Sequence, residues 1–207
     1  MFQVIGITNR KLCEGDFLKQ IEKIVKCAPD AMILREKDLT REAYKELAKD
    51  VMELCARYKV RCILHNFVDV AQDLKAEVLH VPMHVLREMT AEEKKRFSAI
   101  GASCHSVDEA KEAQMLGCSY IIAGHIFATD CKRGLLPRGI GYLEAVCKAV
   151  EIPVYAIGGI CCENAALTKI AGADGICVMS SLMKCDEPET YLSRLRSSCE
   201  GIPDGGK

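Results

Sequence analysis

Eight times along this chain of 207 residues a short apolar run gives way to an amphipathic stretch. The runs cover residues 4–8, 31–34, 61–65, 78–81, 99–103, 120–123, 154–157 and 175–178. Helical patterns lie between and after them at 16–26, 40–58, 68–74, 90–96, 106–116, 140–150, 162–171 and 187–198. Runs this short, without polar alternation, suit strands buried on both faces. Helices between such strands are the crossovers that parallel pairing requires. Thr40, with Glu42 behind it, and Ser106, ahead of Asp108 and Glu109, supply start signals for two of the helices. Eight β/α units close most economically as a (β/α)8 barrel, the α/β fold class expected here. An open doubly wound sheet is the alternative. No linker, charge block or low-complexity segment divides the chain. One domain over 1–200 is therefore expected, with 201–207, which contain Pro203 and Gly205-Gly206, as a frayed tail.

Charge and cysteine usage narrow the partners. The formal net charge is −1, with no basic patch, so neither nucleic acid nor an anionic membrane is expected to bind. No apolar run approaches the ~20 residues of a membrane span. The N-terminal Met1-Phe2-Gln3-Val4-Ile5-Gly6-Ile7 reads as a first strand and lacks the basic start and long apolar core of a signal peptide, so a cytoplasmic location is expected. The thirteen cysteines then read mostly as small buried apolar residues in a reducing compartment. Cys161-Cys162 are adjacent and lack the Cys-x-x-Cys spacing of zinc or redox sites.

In a parallel α/β fold, chemistry belongs at the C-terminal ends of the strands. After the sixth run comes Gly124-His125-Ile126-Phe127-Ala128-Thr129-Asp130-Cys131-Lys132, a segment with an imidazole, a hydroxyl, a thiol, a carboxylate and an amine. An imidazole can both take and give a proton near neutrality, which makes His125 the candidate acid–base. Gly158-Gly159 closes the seventh run, and Met179-Ser180 follows the eighth. Loops at these two positions form the recurrent phosphate site of such barrels, and glycine lets the backbone approach an anion. A plain turn is the bland reading of the glycine pair. Arg35-Glu36-Lys37 ends the second run and is read as an anion-binding side of the pocket, although a solvated loop would look the same. His65-Asn66 ends the third run and Ser103-Cys104-His105 the fifth. His65 is a candidate lining residue, and His105 a cap or supporting group. His80 lies in the fourth run, with His84 beyond it. Mg²⁺ needs hard carboxylates at the rim, and Asp69, one turn into a helix, is the only carboxylate near the ends of the third and fourth runs. No metal and no cofactor are expected.

These residues resemble the family of thiamine phosphate synthase and its relative TenI, the thiazole tautomerase. The shared markers are Ile7-Thr8, Leu34-Arg35-Glu36-Lys37, Ile100-Gly101-Ala102-Ser103-Cys104-His105-Ser106, Thr129 and Lys132, and Ala156-Ile157-Gly158-Gly159-Ile160. The resemblance covers nearly the whole chain and implies the barrel. Its branches differ in detail. The synthase has Gly-Pro before a Thr-x-Thr-Lys segment, where this chain has Gly124-His125 and Thr129-Asp130-Cys131-Lys132, followed by Gly134 and Arg138-Gly139. The synthase also carries an Asn-Asp pair where His65-Asn66 stands, and a second Mg²⁺-binding Asp where Val85 stands.

Similarity to TenI implies isomerisation of a 2-carboxy-4-methyl-5-ylidene-thiazoline ethyl phosphate to the aromatic carboxythiazole phosphate, in thiamine biosynthesis. The phosphorylated thiazole is the expected small-molecule partner, and the family suggests a homodimer. His125 would move the proton. Gly158, Gly159, Met179 and Ser180 would hold the phosphate, with family contacts mapping onto Thr129, Asp130 and Cys131. Ser103 is grouped with the substrate-binding residues, and Arg35, Lys37 and Lys132 are unranked candidates for the substrate carboxylate. Two alternatives stand beside this: thiamine phosphate synthase itself, and a non-catalytic binding or regulatory protein that kept the phosphate pocket.

Overall fold

The computed structural model describes residues 2–202 and closes eight parallel strands into one barrel, each strand beside its neighbours in chain order. The strands are β1 Gln3–Ile7, β2 Ala31–Leu34, β3 Arg61–His65, β4 Val78–Pro82, β5 Ala99–Cys104, β6 Tyr120–Gly124, β7 Val154–Ile157 and β8 Gly175–Val178. Closure is made by β1 pairing with β8, Gln3 beside Gly175 and Ile5 beside Cys177, which excludes the open sheet. Every strand lies within one residue of its expected bounds. Residues 203–207, and with them most of the expected tail, lie outside the described residues.

The outer layer holds α1 Phe17–Lys26, α2 Arg41–Arg57, α3 Val68–Asp73, α4 Met83–Glu88, α5 Ala91–Lys94, α6 Val107–Met115, α7 Gly139–Ala149, α8 Ala165–Ile170, α9 Ser180–Met183 and α10 Pro188–Ser197. Thr40 accepts from Ala43 N and Ser106 from Glu109 N, as their positions predict. Two expectations need correction. The helix expected over 162–171 begins only at Ala165, because the Asn164 side chain accepts from Cys161 N and donates to Gly159 O, holding the preceding residues in a turn. Helix α4 was not expected at all. It follows β4 directly from Pro82 and buries Met83 and Leu86, one turn apart. No helix among the described residues is long and apolar enough to cross a membrane. All thirteen cysteines are free thiols, but only Cys55, Cys104, Cys118, Cys147, Cys177 and Cys199 are fully buried, fewer than the composition suggested, and Cys131 is exposed.

Two apolar layers hold the barrel. One packs strands against helices, and the other fills the interior with Ile5, Ile33, Ile63, Val78, Tyr120, Tyr155, Cys177 and their neighbours. Register sets His65, His80, Gly101 and Tyr120 abreast on β3 to β6. A Cβ on Gly101 would lie 2.0 Å from Tyr120 Cζ, so the missing side chain is the space through which the phenol crosses β5. Tyr44 of α2, wholly buried, donates to Leu34 O at 2.7 Å and accepts from His65 N at 2.8 Å, tying the ends of β2 and β3 to the outer layer. Tyr44→Phe leaves both backbone groups buried and unpaired, and is expected to lower stability by about 1–3 kcal/mol. An unchanged urea midpoint would show that these bonds hold nothing.

Candidate active site

At the C-terminal ends of the strands the barrel opens into a cavity of about 440 Å³. Its depth is set by buried groups of the strands. His80 is 2% exposed, with Nε2 at 2.8 Å from Ser103 Oγ and Nδ1 at 3.3 Å from Tyr120 Oη. The His65 ring stacks on His80, centroids 5.9 Å apart. Burial first, and then the Arg35 charge, push the His80 imidazole from its ordinary 6.5 down to about 3. His65 is pushed the same way, by burial and then by His80, Arg35 and Lys37.

These shifts make the fold acid-sensitive. Between 6.5 and about 3 the unfolded chain binds a proton at residue 80 that the folded chain refuses. Stability is therefore full above the unfolded value and falls as pH drops through this window. From pH 7 to 5 the loss at His80 alone is roughly 2 kcal/mol. Urea midpoints at the two pH values should differ accordingly, and His80→Gln should flatten the difference. Equal midpoints in the native chain would contradict the buried neutral imidazole.

Cations crowd the rim. Arg35, Lys37 and Lys132 all line the cavity. The Lys37 ammonium is drawn down by burial, then by the Arg35 and Lys132 charges. Burial also lowers Arg35, opposed by Glu36 and Cys131. Such a group of partly desolvated cations has the charge and the donors to hold an anion. Glu36, the middle of the charged triplet, does not share it. Its buried carboxylate accepts from Thr8 Oγ1 at 2.7 Å and Arg10 N at 3.0 Å, knitting the β1 and β2 loops together.

The loop after β6 carries His125 over the cavity. The Gly124–His125 peptide is cis. The Gly124 carbonyl accepts from His105 Nδ1 at 2.9 Å and Arg138 Nε at 3.1 Å, and the His125 carbonyl accepts from Arg138 N at 3.0 Å. His105 thus supports the segment, and it also lines the cavity, where only a cap or supporting group was expected. The ring of His125 is different: its Nε2 is buried and without a hydrogen-bond partner among the described residues. Thr129, Cys131 and Lys132 line the cavity, and Cys131 Sγ lies 3.1 Å from Ser180 Oγ, joining this loop to α9. Asp130 is outside the lining. Its carboxylate is exposed and accepts from Arg133 Nε at 3.1 Å, so the expected substrate contact is turned toward solvent.

Gly158, Gly159, Met179 and Ser180 line the cavity beside this loop, after β7 and β8. The glycines have a role in the fold itself. The β6 loop lies directly on them, with Ile126 N donating to Ile157 O and Phe127 N to Gly158 O, both at 2.9 Å. Gly158 has φ of 105°, and an added Cβ would lie 2.3 Å from His125 Cβ. At Gly159, with φ of 64°, a Cβ would lie 2.2 Å from Ala128 O. The sequence reading did not place Arg87 or Glu109 in the lining. Arg87 rides on the unexpected α4, where Met83 and Leu86 at helical spacing were the available signal.

The synthase branch of the resemblance implies Mg²⁺. Asn66 and Val85 stand where its carboxylates would be. Glu109, the one carboxylate in the lining among the described residues, already accepts from His105 N at 2.6 Å. Mg²⁺ is held through carboxylate oxygens in near-octahedral geometry. This donor set does not fit it.

Comparison with known proteins agrees with the barrel fold. Residues 4–182 match the family model described as thiamine monophosphate synthase. A thiamine-phosphate synthase of Fusobacterium nucleatum subsp. nucleatum is 34% identical over 183 residues, spanning 86% of this chain and 87% of its own. One of Caldanaerobacter subterraneus subsp. tengcongensis is 32% identical over 213 residues, spanning 100% and 98%. The solved thiamine phosphate pyrophosphorylase of Pyrococcus furiosus superposes with a TM-score of 0.82 at 28% identity, over 97% of this chain and 96% of its own.

Proposed function

The chain belongs to the thiamine monophosphate synthase family, and from that premise we propose that it is a thiazole tautomerase acting on the carboxylated ylidene-thiazoline ethyl phosphate. The observation that carries this reading is His125 in the lining of a cavity whose rim is cationic. A single base that removes a proton and returns it elsewhere is all that an aromatising isomerisation needs.

The substrate's phosphate lies along Gly158, Gly159, Met179 and Ser180, and its carboxylate faces Arg35, Lys37 and Lys132. His125 takes the proton from ring carbon C2. The electron pair of that C–H bond becomes the C2–N3 double bond, the former N3–C4 double bond shifts to C4–C5, and the exocyclic double bond opens. The exocyclic carbon then takes the proton back from His125. One proton has moved, no electrons are gained or lost, and the ring is aromatic.

One observation favours a second reading. The relatives at 34% and 32% identity are named thiamine-phosphate synthase, which joins a pyrimidine pyrophosphate to the thiazole phosphate. Against it stand Asn66 and Val85 at the positions where metal-binding carboxylates are implied. The two readings separate in one assay. The purified protein receives freshly made ylidene-thiazoline phosphate in the presence of chelator, and ultraviolet absorbance follows aromatisation. A parallel sample receives pyrimidine pyrophosphate, thiazole phosphate and Mg²⁺. Fast metal-independent isomerisation without coupled product is expected. Mg²⁺-dependent coupling with no isomerisation would overturn the tautomerase reading.

A further inference from the structure

Below the cavity runs a polar chain that the proton shift does not use. Tyr120, buried at 8% exposure, crosses β5 through the space left by Gly101, its ring centroid 5.6 Å from that of His80. Its hydroxyl lies 3.3 Å from His80 Nδ1, and His80 Nε2 lies 2.8 Å from Ser103 Oγ. Ser103 is half-buried and lines the cavity.

We propose that Tyr120 and His80 are positioning residues that turn the hydroxyl hydrogen of Ser103 into the cavity, making Ser103 a directed donor to an acceptor atom of the bound ligand. The direction follows from satisfying buried groups. A phenol has one hydrogen, and here it has one partner. If Tyr120 donates to Nδ1, both atoms are satisfied. The reverse arrangement leaves the phenolic hydrogen buried without an acceptor, which is costly. With Nδ1 accepting, the imidazole proton sits on Nε2 and is donated to Ser103 Oγ. The serine's own hydrogen is then free, and the cavity is the direction open to it. Burial keeps the imidazole neutral, so the arrangement has one proton to place and one place for it. The acceptor is a lone pair at the deep end of the ligand, such as a carboxylate oxygen or ring nitrogen. Only that identification rests on the tautomerase reading. The tautomer and the direction of the hydroxyl do not.

Nitrogen-15 spectra of the imidazoles test the chain in the protein alone. His80 is the signal whose Nε2 shift moves in Ser103→Ala. It should show a protonated Nε2 and an accepting Nδ1 at pH 7. A protonated Nδ1, or an imidazolium, overturns the proposal. Binding of carboxythiazole phosphate, measured by calorimetry, tests the consequence. Ser103→Ala should weaken it by about tenfold or more, and Tyr120→Phe by a few-fold. Tyr120→Phe should have no further effect in the Ser103→Ala background, a coupling that general loosening of the fold would not produce. Additive losses, or no loss in either single variant, overturn the proposal. If the native protein does not bind this ligand at all, the tautomerase reading falls, and the nitrogen spectra still decide the chain.

Discussion

His125→Gln should slow isomerisation of the ylidene-thiazoline phosphate by ~10²–10⁴-fold, the range of a general acid–base step. Gln keeps much of the volume and a hydrogen-bonding end but cannot take up the proton. The native Nε2 has no hydrogen-bond partner to lose, so the urea midpoint should stay close to that of the parent. The proposed phosphate wall of Gly158, Gly159 and Ser180 is untouched, so KM should change little. A loss in kcat with binding retained is the pattern of a group whose contribution is made in the transition state. Turnover within about threefold of the parent would remove His125 from the mechanism, since a general base supplies at least about tenfold more than that.

A single methyl group on Gly158 should do comparable damage by a different route. Its Cβ would lie 2.3 Å from His125 Cβ and 2.8 Å from His125 Cα, contacts that real atoms do not make. The neighbours are the backbone of the β6 loop, which cannot rotate away as a side-chain tip can. The φ of 105° adds strain for any residue with a Cβ. Gly158→Ala is expected to lower stability by on the order of 3 kcal/mol, strain and overpacking together, and to cut turnover by displacing the imidazole. Ser180→Ala, on the same wall but clear of this contact, is the comparison, and it should keep the parent's midpoint. Gly158→Ala with the parent's midpoint and turnover would mean that the loop is not seated where the structure puts it.

Much of the architecture was legible because strands buried on both faces are written as unbroken apolar runs, and each of the eight kept its place to within one residue. Helix α4 was missed because the six residues after Pro82 are too few for periodicity to stand out. In the site, alternation carried more information than the reading took from it. Ile33, Arg35 and Lys37 share one parity and face the cavity, while Glu36 has the other and is buried against Thr8 and Arg10. The same rule puts His80 and Ser103 inside. Asp130 lay beyond its reach. In an irregular loop nothing local says which way a side chain points, and Asp130 was a candidate only because the family's contacts map onto it. The seat that Gly158 and Gly159 make for the β6 loop is a contact between segments distant in the chain. It is invisible until strand order is known, as is the reach of Tyr120 over Gly101 to His80.

The seat has an implication for how such a barrel changes its trade. Ile126 and Phe127 are fastened to Ile157 and Gly158 through peptide groups, the Ile126 side chain is wholly buried in the core, and the Gly124 carbonyl is held from two neighbouring segments. A peptide hydrogen bond does not register which side chain its residue carries. Apart from the apolar anchor at Ile126 and Phe127, the path of this loop is therefore largely indifferent to what is written on it. A lineage can rewrite His125 and residues 128–132, exchanging one reactive group for another, without rebuilding the scaffold that aims them. Innovation in this barrel should accumulate on that short stretch, while the glycines beneath it stay as they are.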